Sequence, residues 1–127
     1  MPEIDDICRE VWNATEFVAI VTNGPDGPHV VGTWGEYVRK LGLRDDVVVM
    51  PGGKYRQTEE NLQGDARITL LIASRQVAGT NGPGQGCEIS GRGEFVSEGP
   101  LVDEVKESFP WARGALVVHV GAVRTQL

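Results

Sequence analysis

A mainly β fold, a small antiparallel barrel with three short helices, is predicted by three features of this sequence. Short strand-forming runs are separated by tight turn signals, most of those runs are apolar on both faces, and one stretch alternates strictly. Strands joined by turns favour antiparallel pairing, and strands without a wet face favour a sheet that curls round on itself. At 127 residues the chain supports a single core and hence a single domain, residues 1–127.

The elements follow in order. Ile4, Ile7, Cys8, Val11 and Trp12 recur at helical spacing, with Pro2 and the acids Glu3, Asp5 and Asp6 suited to a helix start, so a first amphipathic helix is expected. Phe17 to Thr22 is strand-like, Asn23-Gly24-Pro25-Asp26-Gly27-Pro28 is dense in turn signals, and His29 to Tyr37 is a second strand; together they read as a hairpin. Val47 to Met50 gives a third strand, Thr58 to Asp65 a short helix with Glu59 and Glu60 in its first turn, and Ile68 to Ala73 a fourth strand. From Cys87 to Phe95 the odd positions carry Cys87, Ile89, Gly91, Gly93 and Phe95, and the even ones are polar, which leaves one face of a fifth strand wet. Pro100 to Ser108 forms a third helix that buries Leu101, Val102 and Val105, and Leu116 to Val123 is a sixth, nearly all-apolar strand.

Composition excludes several functions. Net charge is −6, which disfavours nucleic acid and anionic membranes as partners and suits a basic protein instead. Cys8 and Cys87 belong to no ligand cluster and read as buried small hydrophobes rather than a zinc site or disulfide framework. The first residues lack the basic and apolar regions of a signal peptide and no apolar run is long enough to span a bilayer, so a cytoplasmic location is expected. His29 and His119 have no carboxylate at ligand spacing and no nucleophile motif nearby; His29 reads as solvent-facing, His119 as a barrel rim or dimer contact.

The segment with most chemistry is Gly52-Gly53-Lys54-Tyr55-Arg56-Gln57-Thr58. Glycines admit close approach of an anion, Lys54 and Arg56 supply charge, and Thr58 reads as the cap of a helix whose first N–H groups point at the same place. The same residues also describe a plain turn with solvated cations. The run from Ala78 to Gly86 leads into a strand rather than a helix, so it is no nucleotide loop and reads as a long connection. Period two puts Trp34 on the face opposite Thr33 and Tyr37, so these side chains are not expected to share a wall, while Trp111 falls in a connecting segment suited to contact.

With these residues in view the chain resembles the small bacterial FMN-binding proteins of the pyridoxamine 5′-phosphate oxidase-like split-barrel superfamily. The carriers are Asp26-Gly27-Pro28-His29, Thr33-Trp34 with Tyr37, Gly52-Gly53, Thr58-Glu59, Ser74-Arg75, Val77-Ala78-Gly79, Asn81-Gly82-Pro83-Gly84, Trp111-Ala112-Arg113 and Leu127. The resemblance implies a six-stranded antiparallel split β-barrel that works as a homodimer with one noncovalent FMN per subunit. It implies flavin contacts at Gly32, Thr33, Trp34, Tyr37, Pro51, Gly52 and Gly53, and phosphate contacts from the loop of Lys54, Arg56, Gln57 and Thr58. Trp111 and Leu127 would approach the flavin, in part from the partner subunit. The chain departs from the family pattern at Gln57, where a lysine is usual, and at Gly32, where an asparagine is usual.

The function implied is electron transfer, since no convincing acid, base or nucleophile accompanies the site, with a basic redox protein such as a cytochrome as partner. The alternatives are a flavin-dependent oxidoreductase, either an NAD(P)H-dependent flavin reductase or an oxidase, and a cofactor-free dimeric binding module.

Overall fold

Seven strands and four helices form in a computed structural model of the chain, which describes residues 4–127, one strand and one helix more than the sequence reading expects. In order they are α1 (Asp6–Ala14), β1 (Phe17–Gly24), β2 (Gly27–Trp34), α2 (Gly35–Leu41), β3 (Leu43–Arg44), β4 (Val47–Gly52), α3 (Arg56–Gly64), β5 (Arg67–Gly79), β6 (Gly82–Val96), α4 (Pro100–Ser108) and β7 (Gly114–Thr125). Pro2 and Glu3, read above as favouring the start of the first helix, lie outside the described residues. That helix is instead capped by Asp5, whose carboxylate accepts the Cys8 N–H at 2.8 Å.

All strand pairs are antiparallel, in one sheet of order β2-β1-β5-β6-β7-β4-β3. The β2 and β3 edges are not paired with each other, so the barrel stays split. Helix α1 packs against β5, β6 and β7 and fills the interior with Cys8, Val11 and Trp12, which meet Ile20, Met50, Ile72, Ile89 and Leu116. A second cluster lies on the other face of β4 and β7, where Val49, Ala115 and Val117 meet Val102, Val105 and Phe109 of α4 and the segment after it. This double covering is why β4 and the first half of β7 carry no polar face.

The strand expected from His29 to Tyr37 stops at Trp34. Gly35 begins α2, which buries Val38 and Leu41, carries Arg39 and Lys40 in its last turn and ends at Gly42 with φ 79°. Arg39 Nη1 donates to the carbonyls of Trp12, at 3.2 Å, and Thr15, at 2.6 Å, and so fastens α2 to the end of α1. The connection expected from Ala78 to Gly86 is short: β5 and β6 run on to Gly79 and Gly82 and leave only Thr80 and Asn81 in the turn. Gly82, at φ 145°, supplies the backbone conformation that the turn requires.

Cys8 and Cys87 are both free and fully buried, and the fold sets them side by side. A hydrogen bond with Cys87, followed by burial, pushes the Cys8 thiol well above its ordinary range. His119, exposed on β7, meets Glu94 across the strand pair at 3.0 Å. Among the described residues no helix is long and apolar enough to cross a membrane.

Candidate functional site

A cleft of ≈ 590 Å³ opens where the end of β2, the start of α2, the loop after β4 and the segment before β7 converge. Its walls are mostly aromatic, and each ring is placed by local structure. Trp34 ends β2 and meets Phe17 of β1 edge-on, with centroids 5.8 Å apart. Tyr37 stands one turn into α2, so period two does not govern it, and it lines the same cleft as Thr33 and Trp34. This corrects the expectation that these side chains cannot share a wall. Tyr37 also packs on Phe109 at 5.1 Å and on Trp111 at 5.7 Å, which stands Trp111 against Gly53.

Of the residues expected at the site, Gly32, Thr33, Trp34, Tyr37, Pro51, Gly53, Lys54 and Trp111 line this cleft. Gly52 lies behind it, buried under the Phe95 ring. Gln57 turns instead to a polar groove beside the β1–β2 turn, where its Nε2 donates to Asn61 Oδ1 at 2.8 Å. Leu127 does not line the cleft. It sits at the β5–β6 hairpin, where the Gln85 amide holds its N–H at 2.8 Å and its carbonyl at 2.6 Å.

Thr58 is not the cap of α3. The helix begins two residues earlier, after Tyr55, which takes the left-handed conformation at φ 58° and offers no side-chain cap. The amides of Arg56, Gln57 and Thr58 fall in the first turn, where helix geometry supplies them no carbonyl. Thr58 itself is 0% exposed, and its hydroxyl has no hydrogen-bond partner. A buried hydroxyl left alone is costly, and the free amides around it in the first turn of an uncapped helix are suited to receive an anion. Arg56 is exposed and follows Tyr55 directly.

Three residues at or behind the cleft were not expected from sequence. The Phe17 ring covers Gly32 so closely that a Cβ there would overlap it, which is a packing reason for glycine at this position. Tyr55 donates its hydroxyl to the Gly32 carbonyl at 2.7 Å and so ties the loop after β4 to β2. Burial pushes its phenol up, against a smaller opposing effect of a hydrogen bond with Thr33, and it therefore keeps the proton it donates. Arg113 reaches back from the start of β7, and its Nε and Nη2 donate to the Lys54 carbonyl at 2.9 and 2.6 Å. Tyr55 had one readable signal, a large aromatic flanked by two cations next to paired glycines. Arg113 lay within the Trp-Ala-Arg signature, but its reach to Lys54 is tertiary.

The candidate site combines flat aromatic walls and the backbone at Gly53 with the uncapped start of α3, which follows directly on the lining residue Tyr55 and carries the orphaned Thr58 hydroxyl. It fits a planar ring system at one end and a phosphate at the other, and the volume is that of a small-ligand site. Among the described residues no group of three or more His, Cys, Asp or Glu could hold a metal.

The fold is shared with solved structures of low identity. A single-substitution variant of HupZ from Group A Streptococcus superposes with TM-score 0.76 at 15% identity over 97% of this chain and 99% of that one. A heme binding protein of Mycobacterium smegmatis gives TM-score 0.69 at 16% identity over 99% of this chain and 55% of its own. These likenesses show the fold, a mainly β antiparallel sheet with helices. Residues 4–126 match the pyridoxamine 5′-phosphate oxidase family, and the chain belongs to it. A protein of Nitratidesulfovibrio vulgaris (strain DSM 19637 / Miyazaki F) named FMN-binding protein is 44% identical over 112 residues, which cover 87% of this chain and 88% of that protein.

Proposed function

We propose that this protein binds FMN in the cleft between Trp34 and Trp111 and transfers electrons as a homodimer to a basic redox partner. The observation that carries the reading is the pairing of an aromatic cleft with the unpartnered Thr58 hydroxyl in the first turn of α3. Trp34, Tyr37 and Trp111 flank the ring, the backbone at Gly53 allows close approach, and Lys54, Arg56 and the amides ending at Thr58 face the phosphate. FMN, when bound, supplies the redox chemistry. The protein orients the ring, shields part of it from water and leaves an edge open, since Trp34 and Trp111 are 50% and 52% exposed.

No carboxylate, histidine or cysteine lines the cleft among the described residues, which suits electron passage better than proton abstraction. Net charge −6 suits a basic partner. Exposed Phe17, Val30, Trp34 and Leu71 share one face of β2, β1 and β5 by cross-strand register, an apolar surface suited to a second copy. In such a dimer Leu127, whose backbone Gln85 holds in place, offers its exposed side chain to the partner's cleft.

The visible spectrum and sedimentation mass of the purified protein test this. A bound-flavin spectrum that survives gel filtration, at twice the chain mass, is the expected result. Colourless protein that takes up no added FMN would falsify it. Rapid mixing of the reduced protein with a basic cytochrome is expected to show fast, salt-sensitive electron transfer; steady turnover with NAD(P)H in its place assigns the protein to the oxidoreductases.

A further inference from the structure

Arg113 makes more contacts around the anion cradle than any cation the sequence singles out. Its backbone N–H donates to the Gly52 carbonyl at 2.8 Å, its guanidinium lies over the Phe95 ring 4.2 Å from the centroid, and two of its N–H groups hold the Lys54 carbonyl. Its Nη2 also stands 3.0 Å from Glu59 Oε1. One residue thus joins the end of β4, through its backbone, to the peptide that precedes left-handed Tyr55 and the first turn of α3, through its side chain.

The contact with Glu59 has an electrostatic consequence. Glu59 directly follows Thr58, so its carboxylate lies in the turn that would receive a phosphate. A carboxylate there complements the free amides of the helix start but repels a phosphate of charge about −1.5 to −2. Both side chains are about three-quarters buried, with 23% and 25% of their surface exposed, so water screens the repulsion poorly unless a cation sits on the carboxylate. Arg113 is that cation. By holding the Lys54 carbonyl as well, it keeps that oxygen occupied rather than presented to an incoming anion.

We infer that Arg113 is the residue that makes the cradle select a phosphorylated flavin over its unphosphorylated form, by neutralising Glu59 and fixing the Lys54 peptide. This assignment rests on the FMN reading above. Arg113 is a positioning residue, and the anion's direct partners remain the amides, Thr58 and the loop cations.

The test is titration of FMN and of riboflavin, followed by flavin fluorescence, on the wild type and four variants. Arg113→Ala is expected to weaken FMN at least roughly tenfold more than riboflavin, because one uncompensated charge at this range is worth that much. Glu59→Gln added to Arg113→Ala is expected to restore most of the lost preference, and Arg113→Lys to retain an intermediate share. Glu59→Gln alone leaves every bond from Arg113 to Lys54 in place and is expected to raise the preference for FMN. Equal loss of both ligands in Arg113→Ala, or no recovery on adding Glu59→Gln, would show Arg113 to be merely structural and sink the assignment. A wild type that binds neither flavin sinks the FMN reading itself, a different outcome.

Discussion

Thr58→Val is expected to make the ligand-free protein more stable by about 1 kcal/mol while weakening its hold on FMN roughly ten- to hundredfold. The two effects come from one atom. Thr58 Oγ1 is buried without a partner, and an unsatisfied buried hydroxyl costs about 1–3 kcal/mol. Valine has nearly the same shape, is also β-branched and fits a helix about as well, so the swap removes the penalty and little else. A phosphate that accepts from the hydroxyl makes a charge-assisted bond worth about 1.5–3 kcal/mol, and this is what the variant gives up. Thermal unfolding of ligand-free protein and the Kd for FMN read the two changes separately, and the stabilisation gained on adding FMN shrinks accordingly. A variant less stable than wild type when ligand-free would show that the hydroxyl has a partner inside the protein, and an unchanged Kd would move the phosphate elsewhere.

The strands were legible because their signals are local. The alternation from Cys87 to Phe95 and the turn signals from Asn23 to Pro28 mark β6 and the first hairpin with no reference to the rest of the molecule. Helix α2 was missed because the run from His29 to Tyr37 is rich in residues that favour strands and the helix is only two turns long. Its end was nevertheless written at Arg39, Lys40 and Gly42, the basic last turn and glycine stop that helices prefer. Strand β3 spans two residues, too few for any periodicity. Thr58 followed by Glu59 looks like a cap by residue type, but Tyr55 in the left-handed region starts the helix first, a conformation no side-chain preference would have chosen.

The candidate site was legible where it rests on adjacent residues and opaque where it rests on distant ones. Gly53 and Lys54 belong to the loop singled out from sequence, and Trp34 ends the second strand of the first hairpin. The cover of Gly32 by Phe17, the bond from Tyr55 to Gly32 and the grip of Arg113 on Lys54 span separations that no pattern encodes. The adjacency of Cys8 and Cys87 is of the same kind. Helix α1 fills the split barrel and meets β6 only because the sheet curls around it.

Gly52 and Gly53, a single motif in sequence, are expected to fail in opposite ways. At Gly52 a Cβ would stand 2.5 Å from the Phe95 ring, which lies across the Gly52–Gly114 pair of β4 and β7. The ring cannot withdraw freely, because the Arg113 guanidinium lies over it and it also covers Gly114, where an added Cβ would come just as close. Gly52→Ala therefore overpacks a buried site, at a cost of about 1–3 kcal/mol in stability. At Gly53 the added Cβ would meet only the Trp111 ring, at 2.9 Å, and that ring, held by Tyr37 and Phe109 on one side, is half exposed and has room to shift toward solvent. Gly53 does not need a positive φ, so a side chain is tolerated by the backbone. Gly53→Val is thus expected to change stability by no more than about 0.5 kcal/mol. It fills the cleft, and a clash of about 1–3 kcal/mol with a planar ligand lowers FMN affinity roughly ten- to hundredfold. Denaturant unfolding and FMN titration on both variants decide the matter. Were Gly53→Val to bind FMN as well as wild type does, the ring would lie somewhere other than between Gly53 and Trp34.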